Sequence, residues 1–163
     1  MEFVYKKAEI KDMELLLETR IEVLRAANKL DDTVDMEAVR NYSRCYYQRA
    51  LEDGSHVAIL VFHEKEFVGA GGISFYEVMP TYDNPTGKKA YVMNMYTRPA
   101  YRRMGAAYQT LDLLVLEARQ RGISFISLEA SEMGRLLYEK YGFVKMEDEM
   151  LLRRRSGWES EIL

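Results

Sequence analysis

The segment that most constrains this chain is Tyr96–Ala107, Tyr-Thr-Arg-Pro-Ala-Tyr-Arg-Arg-Met-Gly-Ala-Ala, with the apolar run Ala90–Tyr96 before it and a helical pattern after it. A strand, a tight loop of small residues and a helix start, in that order, build an anion site. The first N–H groups of a helix have no partner inside it, and the aligned peptide dipoles add partial positive charge there. Arg102 and Arg103 bring full charges to the same place, while Gly105, Ala106 and Ala107 carry too little side chain to keep a ligand off the backbone. The site expected from Arg102, Arg103, Met104, Gly105, Ala106 and Ala107 suits a pyrophosphate. The plainer reading of the same residues is a capped loop with surface arginines. No Gly-Lys-Ser/Thr follows the loop, so it is not a Walker A motif. A dinucleotide fingerprint needs a third glycine and an acid about 20 residues further on, and does not fit either.

Around this segment the hydrophobic periodicity predicts a β-α-α-β-β-β-α-β-α-β order. Phe3–Ala8 reads as a first strand, and Asp12 caps a helix with Leu17, Ile21, Leu24 and Asn28 on one face. Thr33 or Asp35 caps a second helix that runs to about Leu51 and ends at Asp53-Gly54. Val57–Phe62 and Phe67–Phe75 form a hairpin, in which Gly69, Gly71 and Gly72 mark a bulge or a close backbone approach. Ala90–Thr97 is the fourth strand. Ala107, Leu111, Leu114, Val115 and Ala118 share a face of the third helix, Ile123–Glu129 is a strand, and Ser131 caps a short helix ending at Gly142. Val144–Leu152 gives one or two closing strands.

The bulk properties fit one globular domain over residues 1–163, with 48% hydrophobic and 30% charged residues. No run of 18 apolar residues is present, so no membrane partner is expected, and the N-terminus lacks a signal peptide's apolar stretch. A single cysteine, Cys45, fits a reducing compartment, and a cytoplasmic location is expected; Cys45 itself reads as a small buried filler. A net charge of −3 argues against a general nucleic-acid partner. The Arg153-Arg154-Arg155 run is short, is soon followed by acids, and reads as a solvated strand end. His56 and His63 are not at ligand spacing with Cys45 or a carboxylate cluster, and no metal is expected.

A second motif, Ser131-Glu-Met-Gly-Arg-Leu-Leu-Tyr-Glu-Lys-Tyr-Gly-Phe143, follows the first across one amphipathic helix and one strand. Together, Arg102-x-x-Gly105-x-Ala107 and Leu137-Tyr138-Glu139-Lys140-x-Gly142-Phe143 resemble the pyrophosphate loop and the tyrosine-bearing helix of the GNAT superfamily, the acyl-CoA-dependent N-acetyltransferases. The resemblance covers nearly the whole chain. It is specific for superfamily and cofactor and unspecific for the acceptor. It implies an α/β fold with a mixed, mostly antiparallel sheet of about 6–7 strands and four helices, in which the fourth and fifth strands are parallel and splay apart. It implies acetyl-CoA as co-substrate without a metal, its pantetheine arm meeting the main chain of Met95, Tyr96 and Thr97.

Acetyl transfer to an amine needs a neutral nitrogen, a polarised thioester carbonyl and a proton for the leaving thiolate. The resemblance makes Tyr138 the proton donor; the plainer reading is a core tyrosine. Where some family members carry a strand-four glutamate, this chain has Met93, Asn94 and Met95, so the base stays open between Glu129 and Glu22, acting directly or through water. Asn94 can orient an acceptor but not deprotonate it. The family's acceptor region falls on Arg20, Glu22, Arg25, Asn28, Tyr76, Glu77, Tyr82 and Asp83, where acids would hold a cationic amine between tyrosines. Asn94, Tyr82 and Asn28 are the expected substrate residues, and the acceptor is a small-molecule or peptide amine acetylated in a ternary complex. The alternatives are a CoA-binding sensor without catalysis and a toxin acting on aminoacyl-tRNA. Oligomeric state stays open, a homodimer included.

Overall fold

The computed structural model describes residues 1–153. Strand β1 (Val4–Lys7) leads through a 3-10 turn at Ile10–Asp12 into helix α1 (Met13–Asn28), followed by helix α2 (Glu37–Asp53). Strands β2 (His56–His63), β3 (Glu66–Glu77) and β4 (Lys88–Thr97) come next, then helix α3 (Ala106–Gln120), strand β5 (Ile126–Leu128) and helix α4 (Arg135–Tyr141). The strands form one mixed sheet in the order β1-β2-β3-β4-β5. The first four are antiparallel neighbours, and β5 runs parallel to β4.

Successive side chains of a strand point to opposite faces, so β2, apolar throughout its centre, feeds two cores. Val57, Ile59 and Val61 pack with Leu111, Leu114, Val115 and Ala118 of α3. Ala58 and Leu60 pack with Leu16 and Leu17 of α1 and Tyr47 of α2. Each fully buried leucine or valine contributes roughly 1.5–3 kcal/mol of transfer free energy. The sheet is thereby clamped between α3 on one side and the α1–α2 pair on the other.

The glycines of β3 are explained by the pairing of β3 with β4. Gly72 faces Met93 and Ala70 faces Tyr96, so Asn94 and Met95 together oppose the single residue Gly71. This is a β-bulge in β4, with Asn94 in the left-handed region at φ 57°. A side chain at Gly71 would collide with Thr110 and Met95, its Cβ falling 2.6 Å from Thr110 Cγ2. The bulge bends β4, and the β4–β5 ladder ends just before it, at Val92–Leu128.

Several expectations change. Val144–Leu152 forms no strand, so the sheet has five strands among the described residues rather than 6–7. Apolar alternation marks a segment able to line a face, but a strand also needs a ladder partner. Here Val144, Met150, Leu151 and Leu152 are exposed. Of the arginine run only Arg153 lies within the described residues, and it is in no strand. Strand β5 keeps only three of the seven residues expected, because its pairing stops where β4 turns away. In α1 the buried positions are Met13, Leu16, Leu17, Thr19 and Val23, a stripe rotated from the one expected. Asp12 closes the preceding turn instead of capping α1 with its side chain, accepting from Glu9 N at 2.9 Å and from Lys6 Nζ at 2.6 Å. Cys45 is exposed on α2, not buried.

Candidate functional site

The anion loop is built from its base upward. Arg98 closes β4 with a two-point ion pair to Glu22 on α1, at 2.9 and 3.0 Å, and reaches Glu66 on β3 at 3.3 Å. Tyr101 donates to the same Glu66 at 2.9 Å. Arg102 Nε donates to the Thr97 carbonyl at 3.0 Å, folding its guanidinium against the end of β4. The chain then turns through Arg103 at φ 62° and Gly105 at φ 89° into α3. Only glycine takes the second of these conformations at little cost, and a Cβ at Gly105 would meet nothing within 4 Å. The glycine leaves open space in front of the helix start. Among the described residues the N–H groups of Met104, Gly105, Ala106 and Ala107 have no hydrogen-bond acceptor, and the first bond of α3 is Gln109 N to Gly105 O at 3.1 Å. Four unpaired donors beside two arginines fit the diphosphate of a coenzyme A.

From this loop the β4–β5 gap leads into the sheet. Beyond Val92, strand β4 runs on through Met93–Thr97 with β3 on one side and, among the described residues, no ladder partner on the β5 side. Polar main-chain groups facing such a gap need other partners, and the amides of a pantetheine arm match them. Met95, Tyr96 and Thr97 all lie on this stretch.

Tyr138 lies in α4, only 8% exposed, packed edge-on against Phe143 at 6.1 Å between ring centres. Burial pushes its hydroxyl above the ordinary tyrosine range, so it stays protonated at neutral pH. Its ring helps line a cavity of about 300 Å³ with Ile126, Ser127 and Leu128 of β5. Glu129, exposed, follows the last rung of β5 and has no ion pair among the described residues. Glu22 is different: hydrogen bonds from Arg98 hold its carboxyl below the usual range. That pairing makes it a poor proton acceptor.

The largest change from the expected site is on the acceptor side. Tyr82 is fully exposed in the β3–β4 loop, and Asn28 sits exposed at the end of α1, donating to Leu24 O at 2.9 Å. Asn94 alone of the three expected residues lines the cavity, of about 650 Å³, between α1, α2 and the sheet. Helix α2 gives it Tyr42, Tyr46 and Arg49, spaced to share one face. The sheet gives it His56, Ser74 and Met93. The Tyr46 hydroxyl lies 2.9 Å from His56 Nδ1 and 2.7 Å from Ser74 Oγ, which is itself 3.0 Å from that nitrogen. Burial pushes the His56 imidazole down to about 4, and the charge of Arg20 adds to the fall. The neutral imidazole and the two hydroxyls close a three-membered hydrogen-bond ring, with the donor at each edge set by the imidazole tautomer. Arg20 Nη1 donates to Asn94 Oδ1 at 2.9 Å, tying the cavity to the bulge.

The sequence reading missed Tyr42, Tyr46, His56 and Ser74. The helical spacing of Tyr42, Tyr46 and Arg49 was visible, but nothing in the sequence says that this face looks onto β2 and β3. Among the described residues no three of His, Cys, Asp and Glu gather as a metal-binding group, and no helix is long and apolar enough to cross a membrane.

A sheet opened by a bulge, with a helix start of unpaired N–H groups on one side and a polar cavity on the other, is the architecture the resemblance to acyl-CoA-dependent transferases implies. Residues 21–143 match the Acetyltransferase (GNAT) family, and the chain belongs to that family. It is similar to a predicted acetyltransferase from Clostridium acetobutylicum solved with acetyl-CoA, at 34% identity over 93% of this chain and 96% of that one, with a TM-score of 0.84. A GCN5-related N-acetyltransferase from Ralstonia eutropha JMP134 shares 26% identity over 94% of this chain and 99% of that one, with a TM-score of 0.81. Glucosamine-6-phosphate N-acetyltransferase from Arabidopsis thaliana shares the fold, at 16% identity, 94% and 99% coverage and a TM-score of 0.70. No curated protein matches the sequence.

Proposed function

We propose that this protein is an acetyl-CoA-dependent N-acetyltransferase acting on a primary amine of a small molecule or peptide, by direct transfer in a ternary complex. One observation carries the reading: Asn94, at the bulge where β5 leaves β4, also lines the cavity between α1, α2 and the sheet. Donor and acceptor can therefore approach one point of the sheet from separate entrances, and neither has to leave before the other arrives.

Acetyl-CoA, when bound, supplies an activated thioester carbonyl. The N–H groups of Met104–Ala107, with Arg102 and Arg103, hold its diphosphate, and the main chain of Met95–Thr97 aligns its arm. Transfer forms the amide C–N bond and breaks the thioester C–S bond. The amine loses a proton to a base, and the thiolate gains one. Tyr138 delivers the proton to sulfur, since its buried hydroxyl is still protonated at neutral pH. Glu129 receives the amine proton through water, because Arg98 keeps Glu22 from that role. The chain acts as one domain over residues 1–163, free of metal.

The test is acetyl-CoA consumption over a panel of amines, read as free thiol and confirmed by the mass of the product. Acetylation of an added amine at a rate well above hydrolysis is the expected result. A chain that binds CoA and turns over no amine is a sensor, and the transferase reading then fails.

A further inference from the structure

The charge inside the α1–α2 cavity is the reverse of what a cationic amine would require. Arg20 and Arg49 line it, and among the described residues no carboxylate does. The arginines nearby are neutralised: Arg25, Arg40, Arg44 and Arg98 each lie within 4.0 Å of a carboxylate. Among the described residues Arg20 and Arg49 have no such partner. Arg20 is half-buried, and of its five guanidinium donors only the one aimed at Asn94 finds an acceptor among the described residues. Its field reaches the cavity floor, where it adds to the fall that burial causes in the His56 pKa and opposes the rise that burial gives Tyr47. A cation partly withdrawn from water, short of acceptors and facing a cavity is arranged for an anion that arrives with the ligand.

We propose that the amine acceptor carries an anionic group, a carboxylate or a phosphate, near its nitrogen, and that Arg20 receives that group. Asn94 positions Arg20, and through the bulge this places the bound anion beside the splay point. The acceptor nitrogen must therefore lie a few bonds from the anion, as in an α-amino acid or a small amino phosphate. Tyr42, Tyr46 and Phe75 wall the cavity and cover the rest of the molecule. Polyamines and polycationic amino sugars are excluded by the same field. The inference rests on the N-acetyltransferase reading and names its substrate class.

Matched pairs of amines test it: phenylalanine against phenethylamine, glutamate against its decarboxylated amine, ethanolamine phosphate against ethanolamine, glucosamine 6-phosphate against glucosamine. The expected result is a kcat/KM roughly 10- to 100-fold higher for the more anionic member of at least one pair, the worth of charge-assisted hydrogen bonds. The amino-acid and phosphate arms tell the two anions apart. Arg20→Met should remove the preference, mainly through KM, with CoA binding unchanged. Arg20→Lys should restore part of it, and Arg20→Glu should reverse it. Acetylation of neutral or cationic partners as fast as anionic ones, or faster, overturns the inference and leaves the transferase reading standing. Turnover of no amine by a CoA-binding protein overturns both. If Arg20→Met fails to fold, the wild-type pairs still decide.

Discussion

Two side chains in the site are defined by burial, with opposite consequences for their protons. Tyr138 is kept protonated, as a general acid must be. Tyr138→Phe retains the ring and its packing on Phe143 but removes the proton. Its kcat should fall by ~10²–10⁴-fold with little change in acetyl-CoA affinity. Steady-state kinetics paired with a melting curve checks this: a kcat within about twofold of wild type would make Tyr138 a packing residue and move the acid to water. His56, 4% exposed, is kept neutral, with a pKa lowered to about 4. The unfolded chain binds a proton at this residue near pH 6.5, so between the two values it holds more protons than the native state, and stability rises with pH. The contribution is complete above about pH 6.5 and is lost as pH falls towards 4, on the order of 3 kcal/mol in all. Urea unfolding across that window, with the His56 imidazole followed by NMR, reads both quantities. An imidazole titrating near pH 6.5 in the folded protein would refute the prediction.

At the scale of elements, the site depends on two departures from regular backbone, the left-handed entry into α3 and the bulge in β4. Gly105 stands at φ 89° with open space in front of it, so the cost of a side chain there divides into strain and obstruction. Gly105→Ala should cost about 1 kcal/mol of stability and leave CoA binding measurable. Gly105→Glu adds a carboxylate against the helix N-terminus and should abolish binding, as read by calorimetry. Equal loss of binding in both variants would mean that backbone conformation, not the anion site, was disturbed. Gly71 is the opposite case, since its ideal Cβ falls 2.6 Å from Thr110 Cγ2 and 2.7 Å from Met95 Sδ. Gly71→Ala must force α3 or the bulge to move, with a destabilisation of about 1–3 kcal/mol. A denaturation midpoint unchanged from wild type would show that the β3–α3 contact yields freely.

For the whole molecule the strongest test is linkage. A ligand that binds only the folded chain raises its stability, by roughly 2.7 kcal/mol at 100 times Kd. For a chain of this length that is a rise in Tm of about 5–10 °C. CoA should produce it, while ATP and NAD, which lack the pantetheine amides, should produce less. A larger shift with ATP or NAD would contradict the reading of the β4–β5 gap. How much of this was legible beforehand follows from the range of each interaction. The loop Arg102–Ala107, the helix carrying Tyr138 and the order of the elements are local. Their signals are residues adjacent in the chain, so two short motifs were enough to carry the resemblance to the family and the cofactor it implies. The glycines Gly69–Gly72 announced a close approach without naming the partner, because Thr110, Met95 and His56 come from other elements. Of the cavity between α1, α2 and the sheet, only Arg20 and Asn94 were legible. It joins Arg20, Tyr46, His56, Ser74 and Asn94 from five elements, and the pairing of Arg98 with Glu22 spans 76 positions. The sequence by itself determined the strand–loop–helix with its free N–H groups, since a helix start and a glycine turn need only their own neighbours. Only the tertiary structure decided which charges remained unpaired, because ion pairing is a property of distance in space: it set Glu22 against Arg98 and left Arg20 facing the cavity.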